Sequence, residues 1–121
     1  MVKVVFTTTG DHLDSPLDSR FGRAPKFIIY DLDAETFEIM DNQQGVHASQ
    51  GAGIQSAEAI ARAGAKALVT GHCGPKAFHV LAAAGIKIFH SDAATVAEAL
   101  EQYRRGSLPE IGAADVAGHW S

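Results

Sequence analysis

The stretch ALVTGHCGPKAFHVLAAAGIKIF, residues 67–89, places a strand, a helix and a second strand in direct succession. Residues 67–70 and 86–89 are short apolar runs of the kind that form buried strands. Between them, Pro75 stands where a helix would begin and Gly85 where it would end. Two strands joined through a helix predict a parallel β–α–β unit, which requires a sheet covered by helices.

The sequence before this unit predicts three more strands. Residues 2–8 are β-branched or aromatic apart from Lys3 and predict a buried first strand. Residues 26–31 and 36–41, separated by a short polar connection, predict an antiparallel hairpin. Residues 11–25 contain turn formers and charges without periodicity, so we expect a long loop of the kind that often carries function.

Two further helices complete the pattern. Ala57, Ile60 and Ala61 share one helical face before Gly64, and a second stripe consists of Val96, Leu100 and Tyr103. We expect Asp92 to cap the last helix, which residues 104–106 would end.

The resulting order βββαβαβα predicts an α/β fold with three layers, α/β/α. Right-handed crossovers favour a ribonuclease-H-like motif with a mixed five-stranded sheet in the order 3-2-1-4-5. We expect a single domain over residues 1–106 and an irregular tail over 107–121.

Composition excludes several classes of protein. The chain has 121 residues, 46% of them hydrophobic, which suffices for one core. Its formal net charge of −4, without a run of either sign, argues against binding to nucleic acid or an anionic membrane surface. No apolar stretch approaches the roughly 20 residues that span a bilayer. A single cysteine and no signal-peptide pattern lead us to expect a cytoplasmic protein.

The predicted topology brings four strand ends and three helix starts to one edge of the sheet, where open α/β sheets usually bind ligands. Glycines at positions 45, 51 and 53 precede a helix there, and such glycines allow backbone N–H groups to approach an anion. They lack the spacing of a dinucleotide or triphosphate site, and they could equally serve only to turn the chain.

Cys73 lies at the predicted mouth of a helix, a position that lowers a thiol pKa and favours thiolate. The alternative is a small buried cysteine that fills a gap. Its surroundings resemble a phosphatase loop, but His79 stands where that loop needs an arginine. A thiol-dependent phosphatase or an arsenate-reductase-like enzyme using Cys73 is therefore the alternative function.

Histidines are concentrated at the same edge, at positions 12, 47, 72 and 90. Imidazole suits copper or zinc, yet no spacing typical of a closed metal site is present, and solvated loop histidines are the other interpretation. Basic and acidic residues are mixed along this edge, so attraction of an anion should rest mainly on backbone donors and helix ends.

Three pieces of the sequence carry a resemblance to a known family: RFGRAP at residues 20–25, the glycine loop that leads into Ile54, and TGHCGPKAF at residues 70–78. With them, most of the chain resembles the dinitrogenase iron-molybdenum cofactor family, which includes nitrogenase cofactor carriers and the molybdenum–copper orange proteins of sulfate reducers. A histidine-rich rim and the insertion GDHLDSPLDS favour the orange-protein branch.

The resemblance implies a non-enzymatic role: binding or carrying an anionic molybdenum-copper-sulfide cluster, or alternatively an iron-molybdenum cofactor precursor, mostly without covalent attachment. It points to ATPases of the cell-division or partition type as partners. Binding should weaken as pH rises through the histidine range. The implied contact residues are His12, Leu13, His47, Ala48, Ser49, Gln50, Gly51, Ala52, Gly53, Gly71, His72, Cys73 and Gly74.

Overall fold

The computed structural model describes residues 2–42 and 52–111. Within them the chain forms five strands and three helices, which we number in chain order. The elements are β1 (Lys3–Thr8), β2 (Lys26–Asp31), β3 (Thr36–Asp41), α1 (Ala52–Arg62), β4 (Ala67–Thr70), α2 (Pro75–Ala83), β5 (Lys87–His90) and α3 (Val96–Arg104).

The five strands form one mixed sheet in the order β3-β2-β1-β4-β5. β2 pairs antiparallel with both β1 and β3, while β1, β4 and β5 are parallel. The predicted fold class and strand order are therefore confirmed. β1 begins one residue later than predicted, and β5 is displaced by one residue toward the C-terminus.

Alternation along β1 distributes its side chains between two apolar cores. Val5 belongs to the cluster shared with α1 and α2, whereas Val4 and Phe6 belong to the cluster shared with α3. All three side chains are fully buried because helices cover both faces of the sheet. This two-sided burial explains why the strand is continuously apolar instead of alternating.

The helices are short and amphipathic. Ile60 of α1 and Leu81 of α2 enter one core, while Val96 and Leu100 of α3 enter the other. Within the described residues, no helix has both the length and the apolar character needed to cross a membrane.

Residues 9–25, which we call the edge loop, cross the carboxyl ends of the central strands. The first half of the loop is bound to the start of α3, where Val96 N donates to Ser15 O at 3.0 Å and Ala97 N to Leu13 O at 2.7 Å. The second half reaches the connection between β4 and α2, where Phe21 N donates to His72 O at 2.9 Å. The loop thus spans the whole predicted ligand edge.

The first residues of the predicted tail follow the outer edge of β5. His90 N donates to Pro109 O at 3.0 Å, and Ile111 N donates to Ile88 O at 2.7 Å. Ile111 is buried in the core of α1 and α2. Residues 107–111 are therefore attached to the sheet, and the remainder of the predicted tail lies outside the described residues.

The predicted cap of α3 is wrong. Thr95, not Asp92, precedes the helix in an extended conformation, and its Oγ1 accepts a hydrogen bond from Glu98 N at 3.2 Å. The edge loop explains the difference, because Pro16 forms a β-bridge with Thr95 and Leu17 N donates to Ala94 O. These contacts hold the chain extended, so the helix cannot begin earlier.

We expect Thr95→Ala to lower the free energy of unfolding by about 1 kcal/mol, since an N-cap oxygen is lost. Asp92→Ala, at an exposed position outside the cap, should change it by less than about 0.5 kcal/mol. Urea unfolding of both variants measures the two values. A larger loss for Asp92→Ala would contradict the observed cap.

Candidate functional site

A cleft of about 510 Å³ opens at the carboxyl edge of the sheet. Three segments enclose it: the second half of the edge loop, the first turn of α1, and the connection from β4 into α2. Its described lining residues are Arg20, Phe21, Gly22, Arg23, Gly53, Ile54, His72, Gly74, Pro75, Lys76 and Ala77.

The charges that face this cleft have one sign. Arg20, Arg23 and Lys76 line it, and none of its described lining residues is an aspartate or glutamate. The acidic residue Asp18 is buried next to the lining and binds Arg20. Its Oδ1 accepts a hydrogen bond from Arg20 N at 2.8 Å and lies 3.6 Å from Arg20 Nε. The sequence predicts mixed charges along this edge, but the other carboxylates of the edge are not among the described residues that line the cleft. The described lining is suited to an anion.

Besides the cations, His72 and three glycines, the described lining consists of apolar residues. Phe21 is only 1% exposed and stacks on Phe27, with 5.6 Å between the ring centroids. Ile54, Pro75 and Ala77 add further apolar surface. Weakly hydrated, polarisable groups of a ligand would find contacts here as well as charge.

The start of α2 is open toward the cleft. Gly74 precedes the helix in an extended conformation, no side chain of the described residues caps it, and Pro75 occupies the first turn. Within the described part of the chain, the N–H groups of that turn are thus left for solvent or a ligand, and the helix dipole adds positive potential. The start of α3 differs, since carbonyl groups of the edge loop close it. Helix α3 does not contribute to the described lining.

Two of the predicted site glycines allow close packing. A Cβ at Gly53 would lie 3.0 Å from Ala77 Cβ, so the absence of a side chain lets the first turns of α1 and α2 meet. A Cβ at Gly71 would lie 2.8 Å from Ser19 Cα, so this glycine lets the edge loop rest on the end of β4. Gly71 O also accepts a hydrogen bond from His90 Nδ1 at 2.9 Å.

His72 lines the cleft with its side chain exposed, and partial desolvation by the surrounding protein lowers the pKa of its imidazole. Desolvation disfavours the charged form, so the side chain is mostly neutral at pH 7. Its backbone carbonyl holds the edge loop through Phe21 N.

The predicted activation of Cys73 is wrong. The side chain is fully buried in the core of α1 and α2, and burial raises the pKa of the thiol to about 12. The side chain points into apolar surroundings, so desolvation outweighs the helix end that should have stabilised a thiolate. Cys73 therefore has neither the exposure nor the charge that the alternative thiol enzyme needs.

The remaining predicted residues are distributed differently. His12 is exposed beside Asp11, and Leu13 packs against the core of α3, so neither lines the cleft. Ala52 begins α1, while His47, Ala48, Ser49, Gln50 and Gly51 lie outside the described residues. In ranges 2–42 and 52–111, no three histidine, cysteine or carboxylate side chains are grouped closely enough to hold a metal ion.

The predicted site omitted the basic and aromatic residues of the edge loop. Arg20, Phe21 and Arg23 all line the cleft, and all belong to the motif RFGRAP. That motif was the available signal, but only the folded loop shows which of its side chains reach the cleft.

The family described as dinitrogenase iron-molybdenum cofactor matches residues 1–106. The chain belongs to this family. Its fold is similar to the apo form of the orange protein from Desulfovibrio gigas, with 39% identity, a TM-score of 0.89, and coverage of 93% of this chain and 94% of that one.

A NifB-like protein from Thermotoga, assigned to the DUF35 family, is 32% identical with a TM-score of 0.81, over 91% of this chain and 93% of that chain. An uncharacterized protein of Methanocaldococcus jannaschii is 31% identical over 100 residues, which are 78% of this chain and 82% of the relative. The family resemblance predicted from the three motifs is thus confirmed.

The glycines on either side of His72 and Cys73 give a paired prediction for stability. Gly71→Ala should lower the free energy of unfolding by about 1–3 kcal/mol, because its methyl group meets the backbone of Ser19. Gly74→Ala should change it by less than about 0.5 kcal/mol, since a Cβ there meets no atom within 4 Å. Chemical unfolding compares the two variants, and equal losses would contradict the close contact at Gly71.

Proposed function

We propose that this protein binds and carries an anionic molybdenum-copper-sulfide cluster in the cleft, mostly without covalent attachment and without catalysing a reaction. One observation carries the proposal: Arg20, Arg23 and Lys76 face a cleft whose described lining contains no carboxylate. Family membership and the similarity to the orange protein support a cofactor-carrying role.

The chemistry of the cleft fits a cluster whose metals are already saturated by sulfide. Such a cargo needs compensation of its negative charge and hydrogen-bond donors, which the cations and the uncapped start of α2 offer. Its sulfur surface is soft and weakly hydrated, so contact with Ile54 and Pro75 costs little desolvation.

Non-covalent retention also agrees with the state of Cys73. A metal–thiolate bond would require this buried thiol, with a pKa of about 12, to lose its proton and leave the core. We propose that Gly53, His72 and Gly74 contact the cargo directly, that residues 47–51 complete the site, and that Gly71 and Cys73 support it from behind.

The proposed setting is the cytoplasm, with an ATPase of the cell-division or partition type as the protein that receives or delivers the cargo. An iron-molybdenum cofactor precursor is the alternative cargo for the same cleft. Metal analysis of the protein isolated from its native source distinguishes the two cargoes. Copper would accompany molybdenum in the molybdenum-copper-sulfide cluster, and iron would accompany it in the cofactor precursor.

Reconstitution of the apo-protein with copper and tetrathiomolybdate tests the proposed cargo. Wild type and Cys73→Ala should both develop charge-transfer absorption with stoichiometric molybdenum. Replacing Arg20, Arg23 and Lys76 together by glutamine should weaken binding by about 30-fold, the effect of roughly 2 kcal/mol lost from three partly solvated charges.

The matched control removes three positive charges from the opposite edge of the sheet. Lys3 and Lys87 begin β1 and β5, and Lys66 immediately precedes β4. Glutamine at these three positions changes the net charge equally and should leave binding within about twofold of wild type. Failure of wild type to take up the metals, loss of uptake in Cys73→Ala, or equal weakening by both triple variants would contradict the proposal.

The pH dependence of binding should reflect the lowered pKa of His72. An anion favours protonated imidazole, so affinity should increase as pH falls below the usual histidine value of 6.5, and not across neutral pH. Tetrathiomolybdate titrations of wild type and His72→Gln measure this. If the affinity of His72→Gln increased at low pH as much as that of wild type, the attribution of the pH dependence to His72 would be contradicted.

A further inference from the structure

Asn42 lies at the end of β3, and its side chain is fully buried against the edge loop. Its Nδ2 donates to Ala24 O at 2.7 Å and to Gly22 O at 3.2 Å. Its backbone N–H donates to Pro25 O at 3.0 Å. One residue therefore binds three backbone carbonyl groups of the edge loop, those of Gly22, Ala24 and Pro25.

The same side chain is bound to helix α1. Ser56, also fully buried, donates from Oγ to Asn42 Oδ1 at 2.8 Å. Both amide hydrogens and the amide oxygen are thus engaged, and the reversed orientation would oppose the oxygen to two carbonyl oxygens. The orientation of Asn42 is fixed, and it connects the edge loop to α1 directly.

The edge loop and helix α1, which Asn42 connects, both adjoin the cleft. Gly22 and Arg23 line one wall, and Gly53 and Ile54, within one turn of Ser56, line another. The apolar contacts of Ala24 and Ala57 within their shared core also hold these walls together. Apolar packing is non-directional, whereas the amide fixes how the walls are offset from each other.

We propose that Asn42 and Ser56 form a positioning pair that sets the separation between the Arg23 wall and the start of α1, and with it the affinity of the cleft for an anion. The pair touches no ligand and acts through the walls it joins. The consequence for affinity rests on the proposed function, while the connection between the walls does not.

Ser56→Ala tests the pair, because it removes the link to α1 and leaves the contacts of Asn42 with the edge loop. Ser91→Ala is the matched control: Ser91 is buried, and its Oγ donates to Gln102 Oε1 at the same 2.8 Å, on the α3 side of the sheet. Both variants lose one serine–amide hydrogen bond, and Ser91→Ala also loses the bond that Ser91 Oγ accepts from Ala93 N at 3.1 Å. Both should lower the thermal unfolding midpoint, and Ser91→Ala should do so by at least as much as Ser56→Ala.

Only Ser56→Ala should weaken tetrathiomolybdate binding, by about fivefold, the equivalent of one neutral hydrogen bond. In the apo-protein, only Ser56→Ala should shift the backbone amide resonances of Gly22 and Arg23. Equal effects of both variants on affinity, or resonances of the edge loop unchanged by Ser56→Ala, would overturn the positioning pair.

The two measurements, tetrathiomolybdate affinity and the backbone amide resonances of the edge loop, separate this inference from the proposed function. If wild type does not bind tetrathiomolybdate, the proposed function fails, and the resonances alone then decide whether the walls are connected. Shifted resonances together with unaltered affinity in a binding wild type would overturn the claim that the pair controls affinity.

Discussion

The site depends on a buried contact between Thr7, at the end of β1, and Asp18 of the edge loop. The Thr7 hydroxyl donates to Asp18 O at 2.6 Å and lies 3.0 Å from the Thr70 hydroxyl at the end of β4. Asp18 N returns a hydrogen bond to Thr7 O at 2.8 Å. The two central strands thereby hold the loop at one residue, and the carboxylate of that residue orients the backbone of Arg20 at the cleft. Other attachments of the loop lead to α3, to the start of α2 and to Asn42, and this contact is the one that joins it to the ends of both central strands.

The electrostatics of the cleft follow from which way side chains point. Asp18 and Cys73 are close to the cleft in the chain, yet both side chains are directed into the protein, while Arg20 and Lys76 extend into the lining. For Cys73, a helix end favours the thiolate and burial opposes it; the loss of hydration is the larger effect because the sulfur lies in apolar surroundings. The described lining of the cleft consequently contains cationic side chains and no carboxylate, and Asp18 pairs with Arg20 from its buried position.

The fold was predictable because each element has a strong local pattern. The apolar run of β1, the hairpin signal of β2 and β3, and the Pro75 helix start leave few topologies once crossovers are right-handed. The site was only partly predictable, since strand ends locate an edge but do not determine side-chain direction. Leu13 shows the difference: its position in the chain suggests the ligand edge, while packing places it against α3. The cap of α3 was missed for a related reason, because a bridge from Pro16, remote in sequence, delays the helix.

A carrier must release its cargo as well as hold it, and the described lining is consistent with both requirements under the proposed function. Metal–thiolate bonds would make release slow, whereas charge compensation and N–H donors can be replaced by those of a receiving protein. Such a mechanism needs a cleft whose shape persists when the cargo leaves, or the next binding event would have to order the walls again. Buried polar contacts such as those of Thr7 and Asn42 supply that persistence, because opening them would leave donors and acceptors unpaired in the core. Under the proposed function, the buried side chains that hold the shape, those of Thr7, Asn42 and Ser56, are not the cationic side chains that would hold the cargo, which allows weak, reversible binding within a rigid site.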